Sequence, residues 1–174
     1  MKSDYIEFQE RSVALAFLIT FRCYGTWLHG DERGSVDRRI NNRFGDPKIA
    51  PNKNWTAKET KFAGDAFFLD TGKRCVVEVA IKEVCIVRDY ALYALNVRTN
   101  HVHVVVSNSG QPERMMDSFK GYATRALRGA GLAAADQKVW SRHGSTRYLW
   151  TDEHVLKACD YVSLGQGGEL PRFE

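Results

Sequence analysis

A pair of adjacent apolar strands constrains the fold of this chain most. Residues 90–97 (YALYALNV) and 101–107 (HVHVVVS) are rich in β-branched and aromatic side chains, and only Arg98-Thr99-Asn100 separates them. So short and polar a link predicts a β-hairpin, because antiparallel strands can be joined directly whereas parallel strands need a long crossover. The sequence therefore predicts an antiparallel sheet against which the other elements pack.

Five further elements follow from hydrophobic periodicity and from the residues that start and stop helices. Their predicted bounds are 13–24 (strand), 72–88 (helix, with Asp70 or Thr71 as its cap), 111–129 (helix), 139–150 (irregular strand) and 152–164 (helix). With the hairpin, the first six elements match a split βαββαβ order. This predicts an α+β, ferredoxin-like fold, with an antiparallel sheet, helices on one face and an added C-terminal helix.

The length of 174 residues suits one domain, which we expect to span residues 1–174. Residues 26–65 hold much of the glycine and proline of the first half and predict a basic, loop-rich insertion. The longest apolar run, Val13 to Phe21, has nine residues, which is too short to span a membrane. The first residues lack the layout of a signal peptide, so we expect a cytoplasmic protein without a membrane partner. The four cysteines include no CxxC pair, so no zinc ribbon is indicated.

Basic residues are concentrated in two stretches of the chain. From Arg33 to Lys61 eight basic residues stand against three acidic ones, and from Arg114 to Arg147 seven stand against two. Such clusters can neutralise the phosphates of a nucleic acid, although ordinary solvated surface can have the same composition. The candidate DNA-binding residues are Arg38, Arg39, Arg43, Lys120, Arg125, Arg128, Arg142 and Arg147.

Two histidines stand at alternate positions of the second hairpin strand. Because side chains of a strand alternate between its faces, His101 and His103 point to one face and Val102, Val104 and Val106 to the other. Two imidazoles about 7 Å apart on a rigid strand can share a metal ion. The same pattern also fits two histidines on an open sheet face without any ligand. A histidine-triad hydrolase would need a third histidine at position 105, which is valine.

Four stretches in order resemble one known family. NHVHVVVSN is similar to the HUH motif of the single-tyrosine HUH transposases, the IS200-like and REP-associated tyrosine transposases among them. LITFRCYGTW resembles the opening strand of that family, and FKGYATRALR resembles the basic helix after the HUH strand. VWSRHGSTRYLW with TDEHVLKACDYVSLGQ resembles the last strand and the nucleophile helix. The resemblance covers most of the chain outside residues 26–65.

The resemblance implies a reaction and a set of site residues. In that family a tyrosine on the C-terminal helix attacks a DNA phosphodiester and forms a 5′-phosphotyrosine link, which implies the nucleophile Tyr161. The two histidines hold a divalent ion, Mg²⁺ or Mn²⁺, which implies His101 and His103 as metal ligands. The substrate implied is single-stranded DNA with hairpin structure. Some relatives act as homodimers and others as monomers, and the sequence leaves this open.

Periodicity supports the choice of Tyr161 over Tyr122. Tyr122 falls within the apolar stripe of its helix, which predicts a core position. Tyr161 falls off the centre of the stripe formed by Val155, Ala158, Cys159 and Val162, so it can project towards another surface.

The third metal ligand departs from the family pattern. The resemblance implies a glutamine or asparagine four residues after the tyrosine, but Gly165 stands there and Gln166 follows. We therefore expect Gln166 to be the third ligand, with His143 as a substitute. Lys157, one helical turn before Tyr161, is a possible auxiliary residue that touches a phosphate, although an exposed helix lysine fits the pattern as well.

The function that these residues predict is a metal-dependent transposase that cleaves and rejoins single-stranded DNA. One alternative is an HUH-fold DNA-binding protein with weakened catalysis, which the glycine at position 165 favours. Another is a metal-dependent phosphoesterase acting on small substrates, and the basic clusters argue against it.

Overall fold

The computed structural model describes residues 13–28 and 50–165. Over these ranges four strands and four helices form. In chain order they are β1 (Ala16–Cys23), α1 (Lys53–Ala63), α2 (Thr71–Val87), β2 (Ala91–Val97), β3 (His101–Ser107), α3 (Pro112–Gly129), β4 (Trp140–Leu149) and α4 (Asp152–Ser163). The predicted α+β fold is confirmed, and so is the hairpin of β2 and β3.

The sheet is antiparallel throughout, with the order β2-β3-β1-β4. The first and third strands therefore lie at its centre, as in a split βαββαβ fold, and each helical crossover passes over one strand. Thr20 of β1 lies opposite His103 of β3, and Arg22 lies opposite His101. Since paired residues project to the same side, this register brings four polar side chains onto one face.

One face of the sheet, here called the core face, carries the larger hydrophobic core. Helices α2 and α3 pack there on the odd-numbered apolar residues of β1 and the even-numbered valines of β3. The buried side chains include Phe17, Ile19, Phe21, Val102, Val104, Val106, Val84 and Phe119. The valines thus lie under the helices, as the alternation predicted. Asp70 caps α2 by accepting a hydrogen bond from the Lys73 backbone N–H at 2.9 Å.

The opposite face, here called the site face, is covered only in part by the residues that the structure describes. Helix α4 packs on a smaller core of six buried residues, which are Ala16, Leu18, Val105, Leu149, Ala158 and Val162. Along β1 and β3 this apolar patch gives way to Thr20 and His103, then to Arg22 and His101. The C-terminal helix therefore covers one half of the site face, and the polar half lies beside it.

The stretch predicted to be loop-rich contains helix α1. Asn52 is its N-cap and accepts a hydrogen bond from the Trp55 backbone N–H at 3.1 Å. The sequence lacks the apolar spacing that marks an amphipathic helix, because Lys53–Ala63 is mostly polar. Residues 29–49 of the predicted insertion lie outside the described part of the chain.

Gly144 lies where β4 comes very close to β1 and to α3. A Cβ atom there would clash with the Thr20 carbonyl oxygen and with Sδ of Met116 on α3. Beyond this point the register of β1 and β4 shifts, from Phe21–Gly144 to Cys23–Trp140. The irregularity predicted for the last strand is thus a bulge that begins where only glycine fits.

Among the helices of the described ranges, none combines the length and apolar character needed to cross a bilayer.

Candidate active site

The two histidines form the centre of the site. His101 and His103 project from β3 onto the site face, and their rings meet edge to face with centroids 4.7 Å apart. The valines between and beyond them are buried on the core face, so the strand cannot shift without disrupting the larger core. The histidine positions are therefore fixed by packing on the opposite side of the sheet.

Each imidazole is oriented by a hydrogen bond at Nδ1. His103 Nδ1 lies 2.7 Å from Thr20 Oγ1, and His101 Nδ1 lies 2.6 Å from Asn100 Oδ1. Oxygen partners at one ring nitrogen are characteristic of metal-binding histidines, because they fix the ring and direct the other nitrogen towards the ion. In both rings the contacted nitrogen is Nδ1, and Nε2 is the other ring nitrogen.

His103 is buried, with 5% of its surface exposed. Burial and, to a lesser extent, the positive charges of His101, Arg22 and Arg98 together lower its pKa to about 3. A protonated imidazole cannot bind a metal, whereas the neutral ring can. The surroundings of His103 thus favour the form of the side chain that acts as a ligand.

Tyr161 of α4 lies against the histidine pair. Its ring meets that of His103 edge to face, with centroids 5.4 Å apart. It is half-buried at the margin of the smaller core, next to the buried Val162. Tyr122, the other tyrosine considered, packs against the larger core on α3 and so lies on the opposite side of the sheet.

Three arginines surround this group of rings. Arg22 lies opposite His101 in the sheet, and its guanidinium carbon lies 3.5 Å from the centroid of the Trp27 ring. Arg98 follows β2 and contributes positive charge at His103. Arg147 lies on the site face of β4; burial lowers its pKa, and the neighbouring Tyr161 opposes that shift. Positive charge of this kind attracts phosphate groups.

A family model described as "Transposase IS200 like" matches residues 66–166, which include all of these groups except those of β1 and the loop that follows it. The chain belongs to the IS200-like transposases. It is thus a member of a family of enzymes that act on DNA. The predicted family is confirmed.

A solved structure also resembles this IS200-like transposase. It is a REP-associated tyrosine transposase bound to a REP hairpin, with 12% sequence identity and a TM-score of 0.46. The similarity covers 88% of the present chain and 67% of the other. A search of curated protein sequences finds no significant match.

The end of α4 explains why glycine suits position 165. A Cβ atom there would lie 3.1 Å from Tyr161 Cα and 3.3 Å from Tyr161 Cδ2, so a side chain would crowd the tyrosine. Gln166, predicted as third metal ligand, lies outside the described residues. Within residues 13–28 and 50–165, no three His, Cys, Asp or Glu side chains gather around a common point that could hold an ion.

The two auxiliary residues predicted from the sequence both have exposed side chains. Lys157 forms an ion pair with Glu153 one turn earlier on α4, with Nζ 2.8 Å from Oε1. His143 is exposed on β4, in the bulged segment between Gly144 and Trp140.

Lys120, which was predicted to bind DNA, is buried in the structure. Its ammonium group is buried and donates hydrogen bonds to the carbonyls of Ser141, Arg142 and His143, at 2.9, 3.3 and 3.3 Å. Burying a charge is costly unless it has such partners. Lys120 therefore stabilises the bulge of β4 from the core face and does not face a nucleic acid.

The other basic residues predicted to bind DNA divide between the two sides of the sheet. Arg125 and Arg128 are exposed on α3, with the Arg125 guanidinium 4.5 Å from the Tyr122 ring. Arg142 is exposed on the β4 bulge, and Arg147 lies beside Tyr161. Arg38, Arg39 and Arg43 lie outside the described residues.

Several polar groups of the site were not predicted from the sequence, among them Thr20, Arg22 and Asn96. Thr20 and Arg22 belong to a strand interpreted as buried, and Asn96 belongs to the apolar run of β2. A signal was present in β1, where alternate residues run Ala16, Leu18, Thr20, Arg22 and so change from apolar to polar along one face. The register that places them beside the histidines depends on tertiary pairing, which the sequence pattern does not specify.

Proposed function

We propose that this protein cleaves and rejoins single-stranded, hairpin-bearing DNA, with Tyr161 as the nucleophile and His101 and His103 as metal ligands. The contact between the Tyr161 and His103 rings carries the proposal, because nucleophile and metal ligands must reach the same phosphate. Membership of the IS200-like transposases supports the reaction class. The hairpin substrate is inferred from the family resemblance of the motifs.

The residues present fit a divalent ion in two respects. Both histidines have an oxygen partner at Nδ1, and the pKa of His103 is held well below neutrality. We infer that Nε2 of each ring binds Mg²⁺ or Mn²⁺ and that Gln166 supplies a third donor. When bound, the ion would polarise the scissile phosphate and neutralise part of its charge.

The remaining groups would act on the DNA directly. Tyr161 Oη gives up its proton and attacks the phosphorus, the bond to the 3′ oxygen breaks, and the 3′ oxygen takes up a proton as a free hydroxyl. The arginines at positions 22, 98 and 147 neutralise phosphate charge around the reacting bond. In the reverse step a 3′-hydroxyl attacks the phosphotyrosine, which restores the phosphodiester and Tyr161 without an external energy source.

A covalent adduct tests the proposal. Purified protein is incubated with Mn²⁺ and labelled single-stranded hairpin oligonucleotides, and adducts are separated on a denaturing gel. We expect an adduct that Tyr161→Phe and chelator abolish and that the matched variant Tyr122→Phe retains. Loss with Tyr122→Phe alone would overturn the assignment of the nucleophile.

A second candidate function is DNA binding with weakened catalysis. Gly165, at the position where the family resemblance implies an amide ligand, favours it. It predicts that hairpin DNA binds in the presence of chelator and that no adduct forms with either metal. The same gel, combined with a binding assay, distinguishes the two functions.

A further inference from the structure

One hydrogen bond links β2, the strand next to β3, to helix α4, which carries Tyr161. Asn96 of β2 lies directly opposite His103 in the sheet, on the site face. Its Nδ2 donates a hydrogen bond of 2.9 Å to the carbonyl oxygen of Val162, the residue after Tyr161. The amide therefore connects the strand beside one proposed metal ligand with the backbone of the proposed nucleophile.

The location of this bond within α4 gives it particular weight. Val162 lies in the last turn of a helix that ends at Ser163, and carbonyls of a last turn depend on partners outside the regular helical pattern. The bond is partly buried and spans 66 residues of sequence. Side-chain amides that bond such carbonyls fix both the position and the rotation of a helix end.

The apolar contact between α4 and the sheet is smaller than the core on the other face. Of its six buried residues α4 contributes Ala158 and Val162, and Val155, Cys159 and Tyr161 pack partly buried at its edge. Apolar contacts of this size hold a helix against a sheet but are non-directional, so they permit small rotations. A directional bond next to Tyr161 removes that freedom.

We propose that Asn96 is a positioning residue, which holds Tyr161 against His103 through the Val162 carbonyl. This inference rests on the proposed function, in which Tyr161 and the histidines act on one phosphate. Gly165 also favours this position of Tyr161, because the absence of a side chain there leaves space for the Tyr161 ring. Misplacement of a reacting group by about 1 Å can lower a rate by about 100-fold.

The test replaces the amide by an apolar side chain of similar shape. Asn96→Leu removes the donor without adding charge beside His103. Asn108→Leu is the matched control, because Asn108 Nδ2 also donates to a backbone carbonyl, that of Asp89, at 3.0 Å and away from the site. With saturating oligonucleotide, we expect adduct formation by Asn96→Leu to be about 100-fold slower. The dissociation constant for DNA should change less than about twofold, and the control should match wild type.

A second measurement reports position without activity. The ring of Tyr161 lies edge to face with that of His103, so it shifts the proton resonances of His103 in the metal-free protein. We expect Asn96→Leu to move the His103 Hε1 resonance towards its value in Tyr161→Leu, and Asn108→Leu to leave it unchanged. If Asn96→Leu does not fold, Asn96→Ala provides the same comparison.

The two measurements separate failure of this inference from failure of the proposed function. Absence of an adduct with wild-type protein would contradict the proposed function, while the resonance comparison still tests the role of Asn96. A folded Asn96→Leu with an unchanged His103 resonance and an adduct rate within about twofold of wild type would overturn the inference.

Discussion

The two faces of the sheet use the same strands for different purposes. On the core face, α2 and α3 cover a continuous set of buried side chains that includes Phe21, Val104 and Phe119. On the site face, α4 covers four buried strand residues, and the strands then become polar at Thr20 and His103. One face is closed by packing, and the other is divided between packing and the candidate site.

This difference separates stability from chemistry within a single strand. In β3 the valines at even positions bury their side chains on the core face, while His101 and His103 face the site. A β-strand permits this because successive residues point in opposite directions. The site can therefore hold polar groups in fixed positions while most of the folding energy comes from the other face.

The largest effect should come from truncating the core face. Phe119 is fully buried between α3 and the sheet, and Phe119→Ala should lower the free energy of unfolding by about 3–5 kcal/mol. Tyr161→Ala removes a half-buried ring at the margin of the smaller core and should cost about 1 kcal/mol. Urea unfolding monitored by circular dichroism measures both.

Activity should respond in the opposite order. At a temperature where both variants are folded, Phe119→Ala should still form the DNA adduct, whereas Tyr161→Ala should form none. Equal losses of stability for the two substitutions would contradict the proposed division between the faces, whatever the activity.

A smaller effect is expected from removing charge. Arg22 lies on the site face beside His101, and Arg88 is exposed after the end of α2 on the opposite side. Each contact with a phosphate of single-stranded DNA contributes about 0.7 to the slope of log affinity against log salt concentration. We expect Arg22→Met to reduce that slope by about this amount and Arg88→Met to leave it unchanged, as measured by fluorescence anisotropy.

These two variants change the net charge equally, so a general electrostatic effect would alter both slopes alike. That result would mean that DNA does not distinguish the site face from the core face.

The sequence was sufficient to predict the fold and the family because these depend on local patterns. The alternation in HVHVVVS predicted both the buried valines and the paired histidines, and Asp70 was recognised as a possible helix cap. Helix α1 was missed because its residues lack apolar periodicity, although Asn52 offered a capping signal.

Roles that depend on tertiary pairing were not predicted. Lys120 stands in a basic helix and was interpreted as a DNA contact, but the β4 bulge surrounds it with three carbonyls. Asn96 and Thr20 lie beside His103 because the register of the paired strands places them there. A sequence pattern specifies the face on which a side chain lies, but it does not specify which residue it meets there.

The smallest predicted effect comes from the N-caps of α2 and α4, which differ in chemistry. Asp70 caps α2 with a carboxylate, and Thr151 caps α4 with a hydroxyl that accepts from the His154 backbone N–H at 3.1 Å. The hydrogen bond from the Lys73 backbone and further interactions with Lys73 lower the pKa of Asp70 below its usual value of 3.8. Each cap should stabilise its helix at neutral pH.

Only the cap on the core face should depend on pH. Because the folded state lowers the Asp70 pKa, its contribution is complete above pH 3.8 and is lost as the pH falls through the lowered value. The difference in melting temperature between wild type and Asp70→Ala should therefore shrink as the pH falls below 3.8. The destabilisation by Thr151→Ala, about 1 kcal/mol, should stay constant over the same range, because a hydroxyl does not titrate there. A constant difference for Asp70→Ala would show that its carboxylate charge contributes nothing to the start of α2.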